Sequence, residues 1–162
     1  MFEVYVLVER KKSVLLKLLS LFSIIMGTIL FLMSVLVNFL ILFSVLAYVV
    51  GYFTHKRVIE FEYSFFDDEV RFAKIINKSR RKKLPGYKMA DVALVAPKGD
   101  PAAAQYESRS DAMVRNLTSG KADAKVYVMV VKTSEGVELV YFEPDEKYLD
   151  AVCMKNGHKV RR

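Results

Sequence analysis

Residues 14–53 read VLLKLLSLFSIIMGTILFLMSVLVNFLILFSVLAYVVGYF and are almost wholly apolar. After Lys17, no acidic, basic or histidine side chain occurs up to residue 54. A single helix over residues 14–53 would be about 60 Å long, whereas the hydrocarbon core of a bilayer is about 30 Å thick. Because no soluble core requires so long an apolar run, the sequence predicts a transmembrane helical hairpin over residues 14–54.

The turn of this hairpin is predicted at residues 34–38, because Asn38 is the most polar residue of the stretch and lies near its middle. The two spans are then residues 18–33 and 39–53, each slightly shorter than the usual length of about 17 to 25 residues. A secretory signal peptide is the alternative. The stretch is far longer than the roughly 7 to 15 apolar residues of such a peptide, and no small-residue cleavage site follows it.

Basic residues flank the hairpin at its two outer ends. They are Arg10, Lys11, Lys12 and Lys17 before the first span and His55, Lys56 and Arg57 after the second. Since the connecting turn has no cation, the positive-inside rule predicts a multi-pass protein of the cell membrane with both termini in the cytoplasm. No ionisable residue lies deep in either span, where a proton relay, an ion site or a transporter needs one. The hairpin is therefore expected to be an anchor.

Residues 1–13, MFEVYVLVERKKS, are expected to form a cytoplasmic N-terminal segment. The segment combines an apolar run with a terminal basic cluster. Its periodicity leaves open whether it is a β-strand or a short helix lying on the membrane surface.

Charged residues are concentrated after the apolar stretch. Residues 55–162 carry 21 Lys and Arg against 16 Asp and Glu, and residues 1–54 carry four against two. For a domain held at a membrane, the nearest polyanion is the inner leaflet, so the positive charge favours lipid over nucleic acid. The one cysteine, Cys153, excludes an internal disulfide and a cysteine-based zinc site, and it is compatible with a reducing compartment.

From residue 55 the pattern changes to an alternation with period two. In VIEFEYSFF, residues 58–66, apolar and polar side chains alternate, which predicts a half-buried strand. Further short strands are predicted at residues 70–76, 80–84, 89–96, 113–117, 126–132 and 137–142, the last two joined by a turn at Ser134, Glu135 and Gly136. Pro101 is expected to start one helical turn. An amphipathic helix follows Pro144 and stops at Asn156 and Gly157, so the fold class is α+β.

Three segments carry a resemblance to a known family. They are RVIEFEYSFFDDEVRFAKIINKSRRKKL at residues 57–84, MADVALVAP at 89–97 and FEPDEKYLDAV at 142–152, after two apolar spans. This order resembles bacterial PH-like (pleckstrin-homology-like) membrane proteins and, more closely, an uncharacterised family of short bacterial two-span proteins. The resemblance implies that residues 55–162 form a PH-like cytoplasmic domain, an antiparallel β-roll of about seven strands capped by a C-terminal helix. It brings no established activity, cofactor or site residue.

The sharpest local feature is a group of five cations at a strand connection, here called the basic cluster. Its members are Lys78, Arg80, Arg81, Lys82 and Lys83. Near a membrane, each such cation contributes about 1 kcal/mol of attraction to anionic headgroups. In eukaryotic PH domains, basic residues around an early strand connection contact phosphoinositides, which makes these five residues candidate lipid ligands by analogy of fold. The alternative is that they are solvated charges that protect a short edge strand from aggregation.

The remaining polar residues predict structural roles. His55 and His158 have no second histidine or cysteine nearby, and Cys153 belongs to the apolar face of the last helix, with no histidine spaced to activate it. The acidic turn at residues 67–69 lacks the glycine and ligand spacing of a calcium loop. The sequence also lacks GxGxxG, GxxxxGK[ST], HExxH and GxSxG. We therefore expect no catalytic residue, no metal site, no cofactor and no enzymatic activity.

Two hypotheses about function remain. The first is a non-enzymatic membrane protein whose PH-like domain contacts a protein partner or a second copy of itself. The second is a module that senses anionic membrane lipids through the basic cluster. Nucleic acid is not an expected partner, because the cluster is short and Phe65, Phe66 and Phe72 are better used in a hydrophobic core.

Overall fold

A computed structural model of the chain describes residues 3–134 and 136–162. The described chain divides into two compact units, a helical hairpin over residues 11–58 and a β-rich unit formed by residues 3–10 together with Ile59–Arg162. The structure therefore divides the predicted N-terminal segment, residues 1–13, between the two units. Met1 and Phe2, the first two residues of that segment, lie outside the described residues.

The helical hairpin consists of α1, Val14–Met33, and α2, Leu40–Lys56. Residues 34–39 form the turn between them, which includes the predicted position at residues 34–38. Among the described residues, α1 is the one helix long and apolar enough to cross a membrane, and α2 is a shorter apolar helix.

The hairpin buries its small residues and exposes its large ones. The buried residues are Ser20, Ser23 and Gly27 on α1 and Ser44 and Gly51 on α2. Ser20 donates a hydrogen bond to the Gly51 carbonyl at 3.1 Å, and Ser44 donates one to the Gly27 carbonyl at 2.9 Å. A Cβ at Gly51 would lie 3.1 Å from Ile24 Cγ1, so glycine allows the two backbones to approach closely.

The first sheet of the β-rich unit is antiparallel throughout. Its strands are β1 Val4–Glu9, β2 Ile59–Phe66, β3 Glu69–Ile76, β4 Arg80–Lys83 and the short β5 Tyr87–Lys88. The order is β1-β2-β3-β4, and β5 also pairs with β3. The N-terminal segment thus supplies an edge strand, because β1 is the first strand of this order, and its alternate residues Val4, Val6 and Val8 pack against the core.

The second sheet contains β6 Val92–Pro97, β7 Ala112–Asn116, β8 Tyr127–Thr133 and β9 Gly136–Phe142, in the order β6-β8-β9-β7. One pair departs from the expected antiparallel roll, since β7 runs parallel to β9. The reason is that β8 lies between them in the chain and itself pairs antiparallel with β9. The described part thus has nine strands instead of about seven, because β5 was not predicted and β1 was one of two alternatives left open for the N-terminal segment. The predicted β8–β9 turn includes Glu135, which lies outside the described residues.

Two helices complete the β-rich unit. α3, Pro101–Glu107, begins where Asp100 accepts a hydrogen bond from the Ala102 amide at 2.8 Å, and it is longer than the single turn expected from Pro101. α4, Glu146–Asn156, begins where the Asp145 side chain accepts a hydrogen bond from the Tyr148 amide at 2.8 Å. These are the side-chain caps that aspartate typically supplies.

Aromatic side chains from both sheets and from α4 form the core. Tyr63, Phe72 and Phe142 meet edge to face, with ring centroids 5.7 to 6.0 Å apart. Tyr148 of α4 packs against Phe142 at 6.0 Å and against Phe65. The terminal helix therefore closes the core with an aromatic side chain.

Candidate functional site

The basic cluster lies at the connection between β3 and β4. Lys78 occupies the turn, and all four residues of β4 are exposed. Asn77 and Lys78 both adopt positive φ, at 53° and 56°. Asparagine tolerates this left-handed conformation, whereas for an ordinary side chain such as lysine it costs about 1 to 2 kcal/mol. The turn therefore carries a lysine at a position that the backbone favours for glycine or asparagine.

Strand alternation divides the basic cluster between two faces of the first sheet. The register pairs Ala73 with Lys83, Lys74 with Lys82, Ile75 with Arg81 and Ile76 with Arg80. Successive strand residues point to opposite faces. Arg81 and Lys83 therefore share one face, and Arg80 and Lys82 share the other. The sequence brings these cations together, but the sheet separates them.

On the face of Arg81 and Lys83, acidic side chains accompany the cations. Arg81 forms an ion pair with Glu62 at 2.5 Å, and Arg71 forms one with Glu69 at 2.5 Å. These residues line a cleft of about 450 Å³ together with Lys83. Because its carboxylates already balance part of the positive charge, this cleft is a mixed-charge surface and a poor site for a lone anion.

The opposite face carries Arg80 and Lys82, with Lys74 directly across from Lys82. Within the described residues, no carboxylate lies within the 4.0 Å of an ion pair with Lys74, Lys78, Arg80 or Lys82. Like charges directly opposite each other in a sheet repel. We call Lys74, Arg80 and Lys82, together with Lys78 of the adjoining turn, the cation face, because an external anion would relieve the repulsion between these charges.

The sequence pattern alone does not point to Lys74, since this residue lies among the apolar residues of β3. The register of the β-hairpin formed by β3 and β4 is the signal that would have identified Lys74. Counting back from the turn places Lys74 opposite Lys82, provided the number of turn residues is known. That number depends on the two positive φ values at Asn77 and Lys78.

β1 extends the mixed-charge surface with two exposed apolar side chains. Tyr5 is 71% exposed and Leu7 is 52% exposed. The register places Tyr5 opposite Ser64 and Leu7 opposite Glu62, on the same face as the Arg81 ion pair. We call Tyr5, Leu7, Glu62, Arg71 and Arg81 the outer sheet face. Tyrosine and arginine are enriched in protein interfaces, so this surface has the composition of a protein-binding site.

Two buried tyrosines and one half-buried tyrosine have raised pKa values and serve as structural groups. Tyr63 donates its hydroxyl hydrogen to the Leu117 carbonyl at 2.6 Å, and burial, followed by the charge of Glu143, raises its pKa. Burial likewise raises the pKa of Tyr148, whose hydroxyl has no hydrogen-bond partner in the described part of the chain. Burial and the hydrogen bond to Glu107 raise the pKa of Tyr141 to about 12. At neutral pH all three phenols stay protonated.

The other residues considered from the sequence lie apart from the basic cluster. Asp68 of the acidic turn accepts hydrogen bonds from Lys155 at 3.4 Å and Asn156 at 3.3 Å, which ties the β2–β3 turn to the end of α4. Cys153 is a half-buried free thiol on α4. Over residues 3–134 and 136–162, no three His, Cys, Asp or Glu side chains converge into a group that would hold a metal ion.

Two sheets closed by a C-terminal helix define an α+β domain. The family described as "Bacterial PH-like domain (DUF6106)" matches residues 2–162, and the chain belongs to this family. The predicted membership of a PH-like family of unknown function is thereby confirmed, as is the α+β class. No curated protein and no solved structure matches the chain.

Proposed function

We propose that this chain is a two-span membrane protein that presents its PH-like domain at the cytoplasmic face as a non-enzymatic interaction module. The observation that carries the proposal is that the hairpin buries small residues and exposes large apolar ones. Its buried residues are serines and glycines, while Leu, Ile and Phe side chains are exposed along both helices. In water such an arrangement would forfeit the hydrophobic contribution to folding, whereas lipid tails solvate these side chains well.

The basic end of α2 supports a second span despite its length of 17 residues. Lys56 lies over the Tyr52 ring, with its Nζ 4.5 Å from the ring centroid, and donates a hydrogen bond to the Tyr52 hydroxyl. Tyrosine and lysine are typical of the membrane interface, and a snorkelling lysine lengthens the apolar segment that a short helix can embed.

The distribution of charge in the hairpin supports cytoplasmic termini. Residues 11–58 contain five Lys and Arg and no Asp or Glu, and none of the cations lies in the turn. Lys12 donates a hydrogen bond to the His55 carbonyl, so the basic segment before α1 meets the end of α2. Both basic segments therefore lie at one end of the hairpin, which the positive-inside rule places in the cytoplasm.

The outer sheet face is the surface through which the domain would contact a protein. It combines exposed Tyr5 and Leu7 with the Arg81–Glu62 ion pair along a cleft of about 450 Å³. An aromatic and an aliphatic side chain beside partly neutralised charges suit a protein partner better than a lone anion.

Site-specific photo-crosslinking in native membranes tests this function. A photoreactive side chain at Tyr5 of the full chain should give a discrete adduct, whose mass distinguishes a second copy from another protein. Met154, which is exposed on α4, serves as the control position and should give none. The interaction function fails if Tyr5 and Met154 give the same pattern. Membrane integration is tested separately, because a chain released by alkaline carbonate is not embedded.

A second candidate function is contact of the cation face with anionic headgroups. The observation that favours it is that Lys74, Lys78, Arg80 and Lys82 have no carboxylate partner in the described part of the chain. Lys78 also adopts a backbone conformation that is unfavourable for lysine. A lysine at such a strained position is consistent with a binding role.

The two faces of β4 supply a matched pair of variants for this test. Arg80→Gln with Lys82→Gln and Arg81→Gln with Lys83→Gln remove the same charge from the same strand. Hydrogen exchange of β3 and β4 amides is compared in nanodiscs of phosphatidylglycerol and of phosphatidylcholine. We expect slower exchange in phosphatidylglycerol, reversed by salt and abolished by the first pair only. Equal exchange in both lipids, or equal effects of both pairs, contradicts lipid binding at this face.

A further inference from the structure

A groove of about 400 Å³ lies between the two helices at their basic end. Its apolar lining consists of Leu16, Leu21 and Ile24. Its polar rim includes Lys12, Lys17 and His55. The volume lies within the range of about 300 to 1,000 Å³ that is usual for small-molecule sites. All the lining residues belong to the helical hairpin, so the site is complete within that unit.

Helical spacing explains why cations and apolar residues share this groove. Lys17, Leu21 and Ile24 follow each other at i, i+4 and i+7 and so lie on one face of α1. The lysine therefore lies at the end of an apolar track along the helix. Such a track with a cation at one end complements an amphiphile that has an acyl chain and an anionic head.

The hairpin supplies no negative charge of its own to this groove. Residues 11–58 contain no Asp or Glu, and Lys12 donates a hydrogen bond to an uncharged acceptor, the His55 carbonyl. In the described chain, no carboxylate forms an ion pair with Lys12 or Lys17. The positive charge at the rim therefore calls for an external anion.

We infer that this groove binds one anionic phospholipid, with its phosphate at Lys12 and Lys17 and an acyl chain along Leu16, Leu21 and Ile24. The inference rests on the proposed membrane embedding of the hairpin. A zwitterionic lipid brings its own cation close to the two lysines, whereas an anionic lipid does not, so the groove discriminates by headgroup charge. Each cation that contacts the phosphate contributes about fivefold in relative affinity.

The absence of tryptophan from the chain allows a direct test. Leu21→Trp places a single indole in the groove, where the side chain of Leu21 is exposed enough for the larger ring to fit. The full-length variant is reconstituted with lipids brominated on the acyl chain, which quench tryptophan on contact. Brominated phosphatidylglycerol should quench the tryptophan at a lower mole fraction than brominated phosphatidylcholine. The two mole fractions should differ by at least about fivefold.

Three variants of the full chain control the experiment. Phe43→Trp places the indole on an exposed part of α2 that does not line the groove, and both lipids should quench it equally. Lys12→Gln with Lys17→Gln in the Leu21→Trp chain should remove the preference for phosphatidylglycerol. Lys56→Gln with Arg57→Gln removes the same charge outside the groove lining and should leave the preference intact.

Each outcome bears on one claim. Equal quenching of Leu21→Trp by both lipids, or equal loss of preference in the two double variants, overturns the phospholipid site and leaves the membrane-embedded hairpin standing. Absence of quenching by either lipid contradicts the embedding itself. Native mass spectrometry of the tryptophan-free chain gives an independent measurement, because phosphatidylglycerol should remain bound to it and be lost from the Lys12→Gln, Lys17→Gln variant.

Discussion

The two units of this chain select opposite residues for burial. In the hairpin, Ser44 is buried and its neighbour Phe43 is 48% exposed, whereas in the β-rich unit Tyr63 and Phe142 are buried and all of β4 is charged and exposed. The β-rich unit has the pattern that water imposes, since water drives apolar area inward. In the lipid environment that we propose for the hairpin, no such force acts between helices, so close backbone approach and hydrogen bonds between helices decide which residues lie inside. A large apolar side chain is therefore buried in the β-rich unit and exposed in the hairpin.

The largest effect on stability is expected from a substitution that creates a cavity in the aromatic core. Phe142→Ala should lower the free energy of unfolding of the β-rich unit by about 3 to 5 kcal/mol, because three aromatic partners lose their contact. Hydrogen exchange of β8 and β9 amides in the full chain measures the loss. The matched change is Phe22→Ala on the exposed side of α1. It should alter the free energy of unfolding of the helical hairpin by only about 0.5 kcal/mol. Equal losses for the two variants would break the contrast between the units.

The second prediction concerns overpacking between the helices. Gly51→Leu should destabilise the hairpin by about 1 to 3 kcal/mol, since even a Cβ would lie 3.1 Å from Ile24 and 3.4 Å from the Ser20 carbonyl oxygen. Faster hydrogen exchange of α1 and α2 amides in nanodiscs is the measurement. Val50→Leu adds a methylene at the adjacent exposed position and should leave exchange unchanged. If both variants exchange alike, the two helices do not pack through Gly51.

The third prediction compares two buried phenols. Tyr63→Phe should cost about 1 kcal/mol, because it leaves the buried Leu117 carbonyl without its hydroxyl donor. Tyr148→Phe should be neutral or stabilising, because the hydroxyl that it removes has no partner in the described chain. Urea unfolding of the full chain in detergent, followed through the β-rich unit, separates the two. A larger loss for Tyr148→Phe would show that its hydroxyl has a partner.

The smallest expected effect is a loss of stability at alkaline pH. Burial and the hydrogen bond to Glu107 raise the pKa of Tyr141 to about 12 in the folded chain, whereas an unfolded tyrosine ionises near 10. Between these pH values the folded state holds more protons, so stability is complete below about pH 10 and falls as pH rises towards 12. Tyr141→Phe should make the pH dependence of thermal unfolding shallower. An unchanged slope would contradict the raised pKa.

Local sequence signals located several elements well. The turn between α1 and α2 lies at the polar residue near the middle of the apolar run, and α4 runs from its Asp145 cap to Asn156 and Gly157. Both features depend on residues close together in the chain. Capping and turn formation act over a few residues, so they can be recognised without knowledge of the rest of the fold.

The same local signals do not predict which distant segments pair as strands. The N-terminal segment became β1 because residues 4–9 find β2 more than fifty residues away, and β7 became parallel because β8 intervenes. No local pattern encodes which edge a strand will join. A one-residue change of register also reverses the face of every side chain, which is why the division of the basic cluster could not be inferred from its spacing.

By itself, the sequence determined the long apolar run, its central turn, the α+β class and the resemblance to a PH-like family, because hydrophobicity and turn chemistry are properties of short segments. Only the tertiary structure decided that the four adjacent cations of β4 belong to two faces, that Lys74 joins one of these faces, and that the helical hairpin packs through serines and glycines. These features depend on strand register and on close backbone approach, which are set by contacts between residues far apart in the chain.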